Sequence, residues 1–164
     1  MKTLTLVRHA KSSWKDRGLS DRERPLNKRG KRDAPLMGRF VAEAGVRPSQ
    51  IISSPAVRAW TTARIFAREL SFPVEFLQRE DGLYLASLDN LLDVVATQDV
   101  GFSNLMLFAH NPGMTDLANY FVPGLTNNLP TSGVVTVNLD TDDWMLHDRP
   151  KTELVLYDYP KKHQ

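Results

Sequence analysis

The stretch Leu4-Thr5-Leu6-Val7-Arg8-His9-Ala10 joins a short apolar run directly to an arginine and a histidine. The apolar part, Leu4 to Val7, is far shorter than the apolar region of a signal peptide, so we interpret it as a first β-strand. Arg8 and His9 then follow the end of that strand. Because ligands of open α/β sheets bind beyond the carboxyl ends of the strands, this stretch predicts both a strand and a site.

Along the rest of the chain, short β-rich runs alternate with segments whose apolar residues have helical spacing. Strands are predicted at Thr3–Val7, Gln50–Ser53, Val74–Phe76, Asn104–Phe108, Val134–Leu139 and Glu153–Tyr157. Such alternation favours an α/β sandwich around a mostly parallel sheet. The sequence contains no repeat, low-complexity tract or linker, so residues 1–164 are expected to form a single domain.

The first predicted helix begins at Asn27, a suitable N-cap, and ends at Gly45. Its apolar face is formed by Met37, Phe40, Val41 and Ala44. Pro35 lies inside this segment, where a proline removes one hydrogen bond of the helix. The helix is therefore expected either to kink at Pro35 or to become regular only near Asp33.

Three further helices are predicted from capping residues and apolar spacing. The second covers Pro55–Leu70, with Ser54 as its N-cap and Pro55 at the first helical position. Ser87 precedes a third helix, whose apolar residues are Leu88, Leu91, Leu92 and Val95. The fourth covers Pro112–Phe121 and would follow directly on the fourth strand.

Composition limits the classes of protein to which the chain can belong. The sequence contains 41% hydrophobic residues and no cysteine. The absence of cysteine excludes disulfides, thiolate zinc sites and a cysteine nucleophile, and it fits a reducing, cytoplasmic environment. No apolar run approaches the length of a membrane span, so we expect a soluble protein without a membrane partner.

Charge is distributed unevenly along the chain. Residues 1–70 hold 16 Lys and Arg against 6 Asp and Glu, whereas the remainder holds 5 against 13. A basic face that binds an anionic ligand is one explanation, and a nucleic-acid surface is the alternative. Aromatic residues do not interleave with the basic residues of 15–39, and no base-reading motif is present. We therefore expect an anionic ligand and no nucleic-acid partner.

Two arginines and two histidines follow three of the predicted strands. Arg8 and His9 follow the first strand, Arg58 lies in the first turn of the second helix, and His110 follows the fourth strand. Phosphoryl transfer requires positive charge around three equatorial oxygens and an in-line nucleophile. Arginines supply that charge, a neutral imidazole can supply the nucleophile, and a helix N-terminus adds affinity for anions. These four residues predict a phosphoryl pocket.

Four segments carry the pattern of a known family. They are Leu6-Val7-Arg8-His9-Ala10, Arg24-Pro25-Leu26-Asn27-Lys28-Arg29-Gly30, Ser53-Ser54-Pro55-Ala56-Val57-Arg58-Ala59 with Thr62-Ala63, and His110-Asn111-Pro112-Gly113. In order and spacing, from residue 3 to about residue 139, the chain resembles the histidine phosphatase superfamily, also called phosphoglycerate mutase-like. Within it the chain is similar to the small SixA-type phosphohistidine phosphatases. Ala10 stands where the larger Arg-His-Gly signature has glycine.

The resemblance implies a role for each matched residue. His9 would be the nucleophile that becomes phosphorylated, and Arg8 and Arg58 would bind the phosphoryl oxygens. His110 would donate a further hydrogen bond to the transferring group. Arg24 is similar to the additional phosphate-binding arginine of SixA-type proteins.

The resemblance also implies a fold, a three-layer α/β/α sandwich. Its mixed, mostly parallel sheet would have about six strands, one of them antiparallel, between two layers of helices. No cofactor is implied. No cluster of Asp, Glu or His has convincing metal-ligand spacing, so no metal is expected.

The chain has no room for the long lid of larger family members, which lies between the second arginine and the second histidine. Arg58 and His110 are only 52 positions apart, and that stretch already holds a helix and strands. An open pocket suits a substrate presented on a protein surface. The imidazole released from phosphohistidine also needs less proton assistance than an alkoxide.

The sequence offers several candidates for the proton donor. Four carboxylic acids precede Arg24 or follow the third predicted strand: Asp21, Glu23, Glu80 and Asp81. Asp21 is favoured, because the segment Ser20 to Leu26 resembles the SixA-type loop that brings an acid and an arginine to the pocket. Water is the remaining alternative.

The function expected is a phosphatase that acts through a phosphohistidine intermediate on protein phosphohistidine, such as that of a histidine-containing phosphotransfer domain. One alternative is a phosphatase for small phosphomonoesters. An alternative of another class is a non-catalytic module that binds phosphorylated proteins. An intact His9 disfavours the binding module, since a pure binder needs no nucleophile.

Overall fold

A computed structural model describes residues 1–164 and contains one six-stranded sheet. Its strands are β1 (Lys2–Arg8), β2 (Gln50–Ser53), β3 (Gln78–Arg79), β4 (Asn104–Ala109), β5 (Val134–Leu139) and β6 (Thr152–Asp158). Their spatial order is β3-β2-β4-β1-β5-β6. Five of the six predicted strands therefore lie where the sequence pattern placed them.

Only β5 runs against the other strands. β4 is parallel to both of its neighbours, β1 and β2, and β3 is parallel to β2. β5 is antiparallel to β1 on one side and to β6 on the other. This confirms the mixed, mostly parallel sheet of six strands with one antiparallel member.

The predicted strand at Val74–Phe76 is wrong, because these residues form a 3-10 helical turn. The backbone N–H groups of Phe76 and Leu77 donate to the carbonyls of Pro73 and Val74, so they are used within the turn. Phe76 is 63% exposed, which shows that this apolar run does not face the core. The edge strand is instead the two-residue β3, which pairs only with the end of β2.

Four helices cover the two faces of the sheet. They are α1 (Lys28–Glu43), α2 (Val57–Glu69), α3 (Leu88–Ala96) and α4 (Gly113–Phe121). On one face, α1 and α2 pack against strand residues such as Val7 and Phe108. On the other face, α3 and α4 pack against residues such as Leu6 and Leu107. The strands thus bury both faces, and the three-layer arrangement is confirmed.

The start of α1 agrees with the Asn27 cap, whose side chain accepts from the N–H of Gly30 at 2.8 Å. Pro35 lies inside the helix without delaying its start to Asp33. Gly45 follows the helix with φ +86°, a conformation that glycine adopts without strain. The interpretation of Asn27 and Gly45 as boundary residues is therefore confirmed.

The start of α2 differs from the prediction. The helix begins at Val57, with Ala56 at the N-cap position, rather than at Pro55. Ser54 is not its N-cap, because its hydroxyl accepts from the N–H of Ala56, which precedes the helix, and lies 2.7 Å from Nε2 of His110. None of the helices is both long and apolar enough to cross a bilayer.

Candidate active site

A pocket of about 380 Å³ lies beyond the carboxyl ends of β1, β2 and β4. Parallel pairing aligns the last residues of these strands, with Arg8 opposite Ala109 and Ser53 opposite Phe108. The residues that follow the strands therefore converge. The pocket is lined by Arg8, His9, Lys11, Ser12, Trp14, Asp21, Arg24, Arg58, Leu85, His110, Asn111 and Thr131.

A backbone carbonyl determines which nitrogen of the His9 ring carries the proton. Nδ1 of His9 lies 2.8 Å from the carbonyl oxygen of Ala10. A carbonyl can only accept, so Nδ1 carries the proton and donates, and Nε2 keeps its lone pair. The Ala10 N–H in turn donates to the hydroxyl of Thr62 at 3.0 Å, which ties the residue after His9 to α2. Nε2 is therefore the nitrogen available for attack.

The pKa of His9 is lowered from 6.5 to about 4. Burial, which removes water from the ring, is the largest cause; the hydrogen bond to Ala10 opposes it, and the charges of Arg58 and Arg8 lower the pKa further. His9 is 8% exposed. The imidazole is therefore neutral over the physiological pH range.

If His9 is the nucleophile that the sequence predicts, its neutral ring gives the reaction an unusual pH dependence. We expect kcat/KM, corrected for ionisation of the substrate, to fall as the pH drops through about 4 and not near 6.5, because only the neutral ring can attack. A pH–rate profile measures this midpoint, and an NMR titration of the His9 ring should give the same value. A midpoint near 6.5 by both methods would contradict the burial argument.

His110 lies beside His9, with ring centroids 5.1 Å apart. The Ser54 hydroxyl accepts from the N–H of Ala56 and lies 2.7 Å from Nε2 of His110, and we assign its own proton to this second contact. Nδ1 then carries the ring proton, and it is buried without a partner. Burial is the largest cause that lowers the pKa of His110 to about 3, and the neighbouring His9 lowers it further. His110 is thus a neutral donor.

Arg8 and Arg58 each have one buried nitrogen without a partner, namely Nε. Nη1 of Arg8 and both terminal nitrogens of Arg58 donate within the protein. Nη1 of Arg8 donates to the carbonyl of Leu129 at 2.9 Å. Nη1 and Nη2 of Arg58 donate to the backbone and the carboxylate of Asp21 at 2.6 and 2.9 Å. Leaving a buried N–H unpaired costs about 1–3 kcal/mol, so such groups call for an explanation.

Asp21 is the anion of the site. Its carboxylate accepts from Arg58, from Arg24 at 3.2 Å and from the hydroxyl of Tyr84. Partial burial raises the pKa of Asp21, but the hydrogen bonds from Tyr84, Arg58 and Arg24 outweigh it and lower the pKa to about 2. A proton donor must be protonated at the working pH. The pKa is therefore the reverse of what the predicted role of Asp21 requires.

Arg24 connects two parts of the pocket, the loop that holds Asp21 and the segment that follows His9. Its Nη1 donates to the Ser12 hydroxyl at 2.9 Å, and its guanidinium lies 3.5 Å from the centroid of the Trp14 ring. Arg24 is buried, whereas Trp14 is 71% exposed. The structure thus brings Arg24 into the pocket with Arg8, His9, Arg58 and His110.

The other candidate acids lie elsewhere. Glu23 bonds with Ser20 and Asp81 pairs with Arg22, and neither lines the pocket. Glu80 also lies outside the lining. Of the four carboxylic acids considered from the sequence, only Asp21 reaches the pocket.

Sequence reasoning missed Tyr84 and Leu85, and it gave Ser54 the wrong role. Tyr84 meets Asp21 across 63 positions of sequence, and Leu85 lines the pocket while 56% exposed. Neither residue belongs to a recognisable motif. For Ser54 a signal existed, since it directly precedes Pro55 at the end of a strand, but the same pattern describes a helix N-cap.

The chain is similar to known proteins both in sequence and in structure. The sequence model of the histidine phosphatase superfamily (branch 1) matches residues 4–83. A structure from Agrobacterium tumefaciens that bears the name phosphohistidine phosphatase SixA is 26% identical, with a TM-score of 0.82 over 97% of this chain and 98% of that one. A SixA structure complexed with tungstate is 20% identical, with a TM-score of 0.80 over 99% of each chain, which shows the fold alone.

A plant protein is similar at the level of sequence. An uncharacterized chloroplastic protein of Arabidopsis thaliana is 28% identical over 151 residues, which are 86% of this chain and 68% of that protein. Together with the structural matches, this extends the similarity beyond residue 83 to most of the chain. The phosphoglycerate mutase-like fold implied by the sequence is confirmed.

Proposed function

We propose that this chain is a histidine phosphatase that works through a phosphohistidine on His9, because the sequence model of that superfamily matches residues 4–83 and the Agrobacterium SixA structure matches nearly the whole chain. Nε2 of His9 attacks phosphorus, and the bond to the leaving atom breaks with its electron pair going to that atom. Water then attacks the phosphohistidine. The P–N bond breaks, its electron pair returns to Nε2, and inorganic phosphate leaves.

One observation carries the proposal: three buried donors without partners surround a neutral imidazole. They are Nε of Arg8, Nε of Arg58 and Nδ1 of His110. Phosphoryl oxygens supply the acceptors that these donors lack, and donors aimed at developing charge stabilise the transition state. A module that only binds phosphate would need the donors but not a ring held with its lone pair free, so the arrangement favours an enzyme.

Asp21 is proposed to hold the arginines in place. Its carboxylate and backbone carbonyl accept both terminal nitrogens of Arg58, which leaves Nε on the other edge of the guanidinium for substrate. The same carboxylate accepts from Arg24. With its pKa lowered to about 2, Asp21 is an anion at neutral pH. Water would then protonate the leaving group.

The substrate class that this chemistry favours is protein phosphohistidine. Its imidazole leaving group departs with little proton assistance, which fits a site without a protonated acid. Of the segment between α2 and β4, only Leu85 lines the pocket, so a substrate on a protein surface has access. The SixA name of the Agrobacterium relative points to the same class. Small phosphomonoesters are the alternative.

The test compares a phosphohistidine-labelled protein with a panel of alkyl and aryl phosphomonoesters, without added metal. We expect kcat/KM to be highest for the phosphohistidine protein. The p-nitrophenyl ester should follow, because its leaving group is the weakest base of the panel. A higher kcat/KM for an alkyl phosphate would instead assign the enzyme to small metabolites.

Metal chelation is expected to leave the activity unchanged. The arginines supply the positive charge that a metal would otherwise provide, and no group of three His, Asp or Glu residues is placed to hold an ion. Rates measured before and after dialysis against EDTA check this. Loss of activity that a divalent ion restores would overturn the proposed metal independence.

Replacing Asp21 with asparagine tests its role. We expect kcat/KM to fall about tenfold for alkyl and aryl phosphates alike, because Arg58 loses a charged anchor whatever the leaving group. Glu23→Gln is the matched control, since Glu23 is exposed and lies outside the pocket. If Asp21→Asn lowers kcat/KM far more for alkyl phosphates than for aryl phosphates, Asp21 is the proton donor.

A further inference from the structure

We propose that a second pocket beside the phosphoryl pocket docks acidic side chains of the protein whose phosphohistidine enters the first. This inference rests on the proposed function and specifies the substrate class. The second pocket has a volume of about 400 Å³. It shares Arg8, Lys11 and Thr131 with the phosphoryl pocket, so the two sites adjoin.

The second pocket is cationic. Its lining contains four basic side chains and no carboxylate. Lys11 and Lys161 form no ion pair in the structure, whereas Arg29 pairs with Asp33 at 3.4 Å. Asp33 also pairs with Arg32, so its single charge is divided between two arginines. The positive charge of the pocket is therefore left largely uncompensated, which favours an anionic ligand.

Lys161 lies in a short turn whose position is fixed by its contacts. Residues Pro160–His163 form a 3-10 helical turn. The His163 ring lies 2.7 Å from a carboxylate oxygen of Asp158 and stacks on Phe40 of α1, with 3.6 Å between ring centroids. These contacts hold the turn against the helix whose first turn carries Arg29. Two cations from distant parts of the sequence are thereby kept at one pocket.

Neutral donors complete the lining. No intramolecular bond occupies the Tyr159 hydroxyl, and Asn128 uses its side-chain oxygen for Asn111, which leaves its amide N–H groups free. Cations with neutral donors form a site for carboxylates. A small monophosphate held at His9 has no second anion to place there. Acidic side chains beside a phosphohistidine on a protein surface can occupy this pocket while the phosphoryl group enters the first.

The test uses two phosphohistidine peptides of equal length that differ only in flanking Asp or Glu against Asn or Gln. The pocket variant combines Arg29→Gln with Lys161→Gln. Its matched control combines Lys31→Gln with Lys162→Gln, because these neighbours line neither the phosphoryl pocket nor the second pocket. We expect the wild-type kcat/KM to favour the acidic peptide about tenfold. The pocket variant should lose that preference, and the control should keep it.

Equal kcat/KM for the two peptides in the wild type would overturn the docking site. So would a preference that the pocket variant retains or that the control loses equally. If only a small bisphosphate responds to the pocket variant, the pocket serves metabolites and the proposal fails. If no phosphoryl compound is hydrolysed, the proposed function fails, and equilibrium binding of the two peptides then decides the docking site by the same comparison.

Discussion

His9→Ala is expected to abolish turnover and covalent labelling together. The substitution removes Nε2, the nitrogen that the Ala10 carbonyl keeps unprotonated. Losing the nucleophile of a covalent catalyst costs on the order of 10⁴-fold or more in rate. Brief incubation with labelled substrate, followed by denaturation, should trap an acid-labile, base-stable phosphoprotein in the wild type and none in His9→Ala.

The control for His9→Ala is His147→Ala. His147 pairs with Asp93 on the surface and lies outside the pocket, so this variant should label and turn over like the wild type. A label that persists in His9→Ala would show that another residue is the nucleophile, and His110 would be the next residue to examine.

Arg58→Ala is expected to lower the rate about a hundredfold, or by about 3 kcal/mol of transition-state stabilisation, as is typical for the loss of one preorganised donor. Arg58 is 3% exposed, and both of its terminal nitrogens are bound to Asp21. We therefore infer that Arg58 presents Nε rigidly to the phosphoryl group. Single-turnover rates for the wild type and the variant measure the effect.

The matched control for Arg58→Ala is Arg64→Ala, an exposed arginine of the same helix. It should retain nearly full activity. We expect Arg58→Ala to remain folded, because the Asp21 side chain that loses its partner is 42% exposed and can be hydrated; circular dichroism and thermal melting check this. If the rate of the folded variant falls tenfold or less, Arg58 does not stabilise the transition state.

The sequence predicts the parts of the site that follow strand ends. Arg8 ends β1, His9 and His110 come directly after β1 and β4, and parallel strands bring their carboxyl ends to one edge. This reasoning needs only strand positions and direction. It therefore places Arg8 and the two histidines before any contact is known.

Contacts between loops could not be predicted in the same way. The lowered pKa of Asp21 could not be predicted from the sequence, because only the fold brings Tyr84 and Arg58 to its carboxylate. The turn at Val74–Phe76 has the composition of a strand, but its hydrogen bonds close locally. A two-residue edge strand such as β3 is too short for a periodic pattern to show.

The hydrogen bond from His9 to the Ala10 carbonyl also bears on how the site tolerates mutation. Every amino acid carries a main-chain carbonyl, so no change of side chain at position 10 can delete this acceptor. Alanine in place of the signature's glycine leaves the imidazole tautomer under the same control. The tautomer of the proposed nucleophile is thus set by the path of the backbone, and the side chain at position 10 can differ within the space that its neighbours leave.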